Sequence, residues 1–317
     1  MLREKGFYRG VNLGGWMSQC DYSDNRLNNF IKEEDIAKIA SWKLDHVRIP
    51  VDYNVLEEAA GVYKAEGFAH FDRAIAWCRK YNLNVVFDLH KTAGFSFDSG
   101  EKENGFFDSE EYQERFYLLW EEISRHYGND PEHIAFELLN EVTEPSYIDA
   151  WNRISNECIR RIRAIAPDTM ILVGSYYNNS APAVKDLAAP YDDKVIYNFH
   201  CYDPLHFTHQ GAPWLAHILK VEERLSFDAS GIDSSYFEER FASAIEAAKN
   251  NNTELYCGEY GIINIVSPED TVKWYKAINQ VLEAHNIPRA AWSYKEMDFG
   301  LSDARMDGVR EELLKYL

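Results

Sequence analysis

Apolar positions along the chain follow two alternating spacings. Short runs rich in β-branched and aromatic residues are each followed by a longer stretch in which apolar residues recur every three or four positions. The run Ile134-Ala135-Phe136-Glu137-Leu138-Leu139-Asn140-Glu141 is of the first kind. It reads as a buried strand of parallel-sheet type that ends in an amide and a carboxylate, and Pro145 stops its continuation. By the same criterion strands are predicted at 8–12, 46–50, 84–89, 170–174, 195–200, 254–259 and 290–294. Helical spacing predicts helices at 33–42, 67–81, 109–126 (Ser109 as N-cap), 146–165 and 268–285, a short one near 181–188, a polar one ending at Asn250, and a closing helix at 307–316.

Eight strand-then-helix units with no break in composition predict an α/β chain folded as one (β/α)8 TIM barrel over residues 1–317. No linker and no separate binding module are expected. The competing fold is a doubly wound open sheet. It calls for a glycine-rich phosphate loop after an early strand, and the chain has neither GxGxxG nor a P-loop.

In a barrel every strand delivers its C-terminal end to one mouth. Here those ends carry Asn12, Arg48, His90, Asn140 with Glu141, His200 with Tyr202, Glu259, and Trp292. Glu141 taken alone reads equally well as an exposed loop carboxylate. Seven strand ends bearing polar or aromatic groups are harder to ascribe to chance. Two carboxyls near Arg and His suit acid–base work such as cleavage of a glycosidic bond. That reaction needs one carboxyl protonated and the other ionised, with surroundings that separate their pKa values. Alternation puts Glu137 on the face of Glu141 but deeper, so Glu137 is expected to be buried and to meet Arg48 or another interior donor. Asp88, two residues before His90, is given the same inward reading. Strict alternation would also turn Asn140 away from Glu141, so the strand must twist or bulge at its end.

Composition narrows the chemistry. A formal net charge of −19 disfavours nucleic acid. No apolar run is long enough to span a membrane. The start, Met1 to Gly6, lacks a signal-peptide core, so the chain is expected to be cytoplasmic or to have had a leader removed. The five scattered cysteines form no CxxC pair and read as reduced packing residues. His200, His206 and His209 fit neither HExxH nor a zinc finger, so no metal is expected and a chelator should leave activity intact. Aromatic residues make up 14% of the chain, and those in loops could stack on sugar faces. Trp214, Trp16 and Phe207 are candidates for that. His206 and His209 could touch sugar, whereas Trp42, Trp77, Trp120 and Trp151 fall in helices and read as core.

These residues resemble glycoside hydrolase family 5, the cellulase family of retaining (β/α)8 enzymes. The resemblance is carried by Arg9-Gly10-Val11-Asn12-Leu13-Gly14-Gly15-Trp16, His46-Val47-Arg48-Ile49-Pro50, Asp88-Leu89-His90, Glu137-Leu138-Leu139-Asn140-Glu141, His200-Cys201-Tyr202, Gly258-Glu259-Tyr260-Gly261 and Trp292-Ser293-Tyr294. It runs along nearly the whole chain and is closest to small single-domain bacterial endoglucanases. It implies that Glu141 is the general acid/base and Glu259 the nucleophile. Asn140 would bind the sugar 2-hydroxyl, Arg48 and Tyr202 would support Glu259, His90 and His200 would line the site, and Trp292 would lie beneath the cleaved sugar. It further implies a β-glucan polysaccharide or oligosaccharide as substrate without any cofactor; a monomer is expected, although the sequence itself leaves the oligomeric state open. β-1,3-Glucan, mannan and xylan remain open as substrates, as does a sugar-binding barrel without catalysis. Two positions depart from the family's habit: Val142 follows Glu141 where proline is frequent, and Tyr260 stands where phenylalanine is.

Overall fold

A computed structural model of the chain describes residues 2–98, 100–216 and 224–317. Eight strands form the central sheet: Arg9–Asn12 (β1), His46–Asp52 (β2), Asn84–Lys91 (β3), Ile134–Glu137 (β4), Ile171–Val173 (β5), Val195–Cys201 (β6), Leu255–Tyr260 (β7) and Arg289–Ala291 (β8). Each pairs in parallel with its neighbours in chain order, and β8 pairs with β1, so the barrel is closed. Closure rules out the doubly wound sheet.

The outer helices follow the three-to-four spacing. Glu33–Ser41, Ala65–Lys80, Glu110–Tyr127, Ile148–Arg163, Ser234–Asn250 and Pro268–Ala284 bury one face each against the strands. Ser109 caps its helix as expected, accepting from the Tyr112 N–H, and Asp233 and Ser267 do the same for theirs. Two indoles tie this outer layer to the rim: Trp120 Nε1 donates to Leu138 O at 3.0 Å, and Trp151 Nε1 donates to Gly174 O at 2.8 Å. Both acceptors lie just past strand ends, so these helices fix the chain where β4 and β5 give way to loops.

Inward-facing residues stack in layers. The lowest is largely apolar, with Val86, Ala135, Leu172, Ile196 and Ala290 around Tyr256, whose hydroxyl meets His46 Nε2 at 2.8 Å. Above it Asn12, Arg48, Asp88, Glu137 and Asn198 make a fully buried polar layer. His90, His200, Glu259 and Trp292 lie above that, at the mouth.

The elements differ from expectation at five main points. β4 stops at Glu137 and β8 at Ala291, although Leu138, Asn140 and Trp292 still bond to the backbone of the adjoining strands or just past their ends. The segment near 181–188 is a 3-10 helix, Ala181–Asp186, opened by Pro182. The closing helix shrinks to one turn, Arg310–Leu313, since the chain before it is already spent on the turn Ala304–Met306. A small hairpin, Glu57–Ala59 with Val62–Tyr63, had no clear alternation to reveal it. The cysteines are unpaired, four buried and Cys20 half-buried.

Candidate active site

Arg48 organises the site. It is fully buried, and its planar fork is shared among five side chains. Nε donates to Glu137 Oε2 at 2.6 Å and Nη2 to Glu137 Oε1 at 2.8 Å, a bidentate pair. Nη1 serves Asn12 Oδ1 at 2.9 Å and Glu259 Oε1 at 2.6 Å. Nη2 also reaches Asn140 Oδ1 at 2.9 Å and Asp88 Oδ2 at 3.0 Å. Burial pulls the guanidinium down, but the charges of Asp88, Glu137 and Glu259 reverse this and hold it well above its ordinary value. Glu137 is thus a buried framework carboxylate on Arg48, as alternation required, and Asn198 Nδ2 adds a third contact at 2.8 Å. Asp88 also faces inward, 2.5 Å from His90 Nδ1. Burial, partly offset by Arg48, pushes Asp88 up to about 7.

Past β4, Leu138 and Asn140 keep their backbone bonds to the neighbouring strands, through Leu172 O and Leu89 O. Glu141 then adopts a left-handed backbone, φ +31°, instead of continuing the strand. This turn is the break in alternation that lets Asn140 and Glu141 both reach the mouth. Asn140 Oδ1 is held by Arg48, while its Nδ2 is buried with no hydrogen-bond partner among the described residues.

Glu259 lies on β7 across the mouth. Its Oε1 takes the Arg48 bond and its Oε2 accepts from the Tyr202 hydroxyl at 2.7 Å. Glu141 receives no such cation at contact. Its Oε1 lies 2.8 Å from His200 Nδ1, and its Oε2 accepts from Asn178 Nδ2 at 2.9 Å. Burial pushes Glu141 up to about 7, against the Asn178 hydrogen bond and the more distant Arg48 charge. One oxygen from each carboxyl, together with a ring nitrogen of His200, falls within a 4.8 Å span. Burial drives His200 down to about 4 and His90 to about 3, so both rings are neutral near pH 7. A metal could in principle gather Glu141, His200 and Glu259, but each already holds hydrogen bonds inside the protein that a cation would have to displace.

Trp292 follows β8 and lies parallel to His90, ring centroids 6.0 Å apart. Gly14 makes room for it, since a Cβ there would sit 2.7 Å from the indole edge. Trp214 is 47% exposed, edge-on to His209 at the rim. The other sequence candidates divide. Trp16 is fully buried, stacked on Trp77 and hydrogen-bonded to Leu27 O, so it is core and no platform. Phe207 is likewise buried, against Phe227. His206 is exposed on a short helix, and His209 is buried beside Tyr202 and Phe299. Trp42, Trp120 and Trp151 are buried and Trp77 partly so, as their helical positions implied. Tyr260 packs between Trp274 and Tyr275, away from the carboxyls.

Strand five was the one strand end that offered no candidate by sequence, and it supplies Asn178 and Asn179. Asn179 Nδ2 lies 3.4 Å from His200 Nε2. The only signal was the Asn-Asn pair itself, a combination that tolerates left-handed backbone.

The model of the cellulase family, glycosyl hydrolase family 5, matches residues 8–298. Cellodextrinase A of Ruminococcus flavefaciens is 57% identical over 91% of this chain and 86% of its own length. Endoglucanase C of Acetivibrio thermocellus is 36% identical, with 98% of each chain covered. Among solved structures, Cel5A of Thermotoga maritima, determined with a mannotriose substrate, superposes with a TM-score of 0.81 at 26% identity, covering 99% of this chain and 98% of its own.

Proposed function

Because the chain belongs to glycosyl hydrolase family 5, we propose that it is a retaining endo-β-1,4-glucanase working through Glu141 and Glu259. The observation that carries this reading is two buried carboxyls within 4.8 Å in opposite surroundings. Glu259 sits on Arg48 and a tyrosine hydroxyl. Glu141 is raised to about 7, so a large share of it carries a proton near neutral pH. So short a separation suits a direct nucleophile, since inverting enzymes keep about 6.5–9.5 Å to admit a water.

The steps follow. Glu259 attacks the anomeric carbon while Glu141 protonates the departing glycosidic oxygen, leaving a covalent glycosyl-enzyme. Glu141, now ionised, takes a proton from a water. That water attacks the same carbon and frees the sugar and Glu259. Asn140, its oxygen fixed by Arg48, has an N–H pair unpartnered among the described residues for a sugar hydroxyl. Trp292 offers a flat face beneath the ring, His90 and His200 line it, and Trp214 is a candidate platform further out. The chain acts as one catalytic domain and as a monomer. Its partner is a neutral β-glucan, with neither nucleic acid nor membrane involved. Among the described residues no helix is long and apolar enough to cross a membrane.

The likeness to a relative named cellodextrinase favours a second reading, in which short soluble cello-oligosaccharides are preferred over the polymer. A panel of carboxymethylcellulose, mixed-linkage glucan, laminarin, mannan, xylan and cellodextrins, with product sizing, decides. Mixed cello-oligosaccharides from the polymers support endo action. Cleavage confined to cellodextrins supports the second reading, and activity on mannan or xylan alone overturns both.

Replacing Glu141 by alanine is expected to cost roughly 10²–10⁴-fold on unactivated substrates, the usual scale of general acid–base catalysis. Azide should partly restore turnover of an aryl cellobioside with a good leaving group. Proton NMR should show a β-glycosyl azide, and an α product would contradict retention.

A further inference from the structure

We propose that Asn178 is a positioning residue for the Glu141 carboxyl: a left-handed run after β5 brings its amide to Oε2, while Asn179 acts through His200 on Oε1. The inference rests on Glu141 being the proton donor.

The backbone makes the case first. Tyr177, Asn178 and Asn179 have φ of 49°, 56° and 55°, three successive left-handed residues. Single asparagines visit this region readily, but a run of L-residues, one of them tyrosine, is unfavourable. Burial of an apolar side chain does not account for it, because Tyr177 is 60% exposed and Asn178 is exposed as well. The run is held by the loop that carries Glu141. Tyr177 N–H donates to Thr143 O at 3.1 Å and Asn178 N–H to Val142 O at 3.0 Å, the two residues immediately after Glu141. Glu141 is itself left-handed. Two unfavourable conformations therefore brace each other, the pattern expected where strain serves a site. Gly174 completes the arrangement, since a Cβ there would sit 2.3–2.4 Å from the Asn179 amide.

The outcome is a two-point grip. Asn178 Nδ2 holds Oε2 at 2.9 Å, and His200 Nδ1 lies 2.8 Å from Oε1. Asn179 Nδ2 lies 3.4 Å from the other ring nitrogen of His200, and with that amide as donor the ring proton belongs on Nδ1, directed at Glu141. Donors on both oxygens fix the carboxyl plane and favour its ionised form. They thereby oppose the burial that raises Glu141. The other charged or titratable groups around Glu141 are Arg48 and Asp88 from β2 and β3, His200 and Tyr202 from the end of β6, and Glu259 from β7. Asn178 is the contact to Glu141 that can be deleted without removing one of these groups.

The test uses Asn178→Gly, which keeps the left-handed backbone easily, beside Asn178→Ala. Each is assayed across pH on a cello-oligosaccharide and on 2,4-dinitrophenyl cellobioside, whose leaving group needs no proton. On the oligosaccharide kcat/KM should fall roughly 10–100-fold, mainly in kcat. Removing a donor to the ionised form raises Glu141, so the alkaline limb of kcat/KM should move up by about half to one pH unit. On the dinitrophenyl substrate kcat/KM should change less than about threefold. Equal losses on both substrates with an unmoved limb, a rise confined to KM, or unchanged kinetics would each overturn the proposal. Unimpaired turnover of the oligosaccharide by Glu141→Ala would instead remove the reading of Glu141 on which it rests.

Discussion

Glu259→Ala is expected to lose roughly 10⁴–10⁶-fold in kcat, the scale on which a residue acting within a catalytic unit fails when removed. Binding of a non-hydrolysed cello-oligosaccharide, measured by titration calorimetry, should stay within a few-fold of the parent. The structure motivates the split. Glu259 is the carboxyl held from two sides, by Arg48 Nη1 on one oxygen and Tyr202 on the other. Its removal leaves Arg48 still bonded to Glu137, Asp88, Asn12 and Asn140, so the buried layer beneath keeps its charge partners. The fold should therefore survive, and melting within a few degrees of the parent checks this. Retained wild-type turnover would remove Glu259 from the mechanism.

Arg48→Met should have the largest effect on stability. The guanidinium is fully buried and touches three carboxyls, and its loss strands them in a low-dielectric interior. Breaking a buried ion pair from one side costs about 3–5 kcal/mol, and three partners place this variant at or above the top of that range. For a chain of this size that is a drop of roughly 10 °C or more in Tm. The pH dependence has a definite sign. Asp88 and Glu137 are already raised by burial even with Arg48 beside them, and without it they rise further. Acids raised on folding contribute stability at low pH that is lost as pH climbs from their unfolded values, about 4, towards their folded ones. The Tm gap between parent and variant should accordingly be wider at pH 8 than at pH 5. Equal melting of the two proteins, or a gap that narrows with pH, would show that Arg48 does not neutralise this layer.

The two spacings of apolar residues were enough to read the barrel, because each strand and helix buries a regular face. The convergence of Arg48, Asn140, Glu141, His200, Tyr202 and Glu259 was legible for a related reason: in a parallel barrel, position at a strand end is itself a spatial coordinate. The inward turn of Glu137 followed from alternation. Where side chains leave regular backbone, that logic stops. Trp16 sits in a bend and Phe207 on a one-turn helix too short to show a period, so sequence does not say which way either ring points, and both turned out to be core. Asn178 reaches Glu141 only through three left-handed residues, a geometry with no period to detect. The resemblance to family 5 named the strand-end residues and was silent on this one.

A single guanidinium facing three carboxyls gives the floor of the cleft more acidic than basic groups, with Glu259 nearest the sugar. In the ground state the substrate is neutral and gains little from it. At the top of the barrier the sugar is oxocarbenium-like, with positive charge spread over the anomeric carbon and ring oxygen. The field that meets this charge is built into the folded protein, so it needs no rearrangement at the moment of reaction and acts selectively on the transition state. The same field would draw in a sugar mimic carrying a protonated nitrogen in its ring more strongly than the neutral sugar. The layer that looks like a costly way to fill a barrel is thus also a template for a cation that exists only in passing.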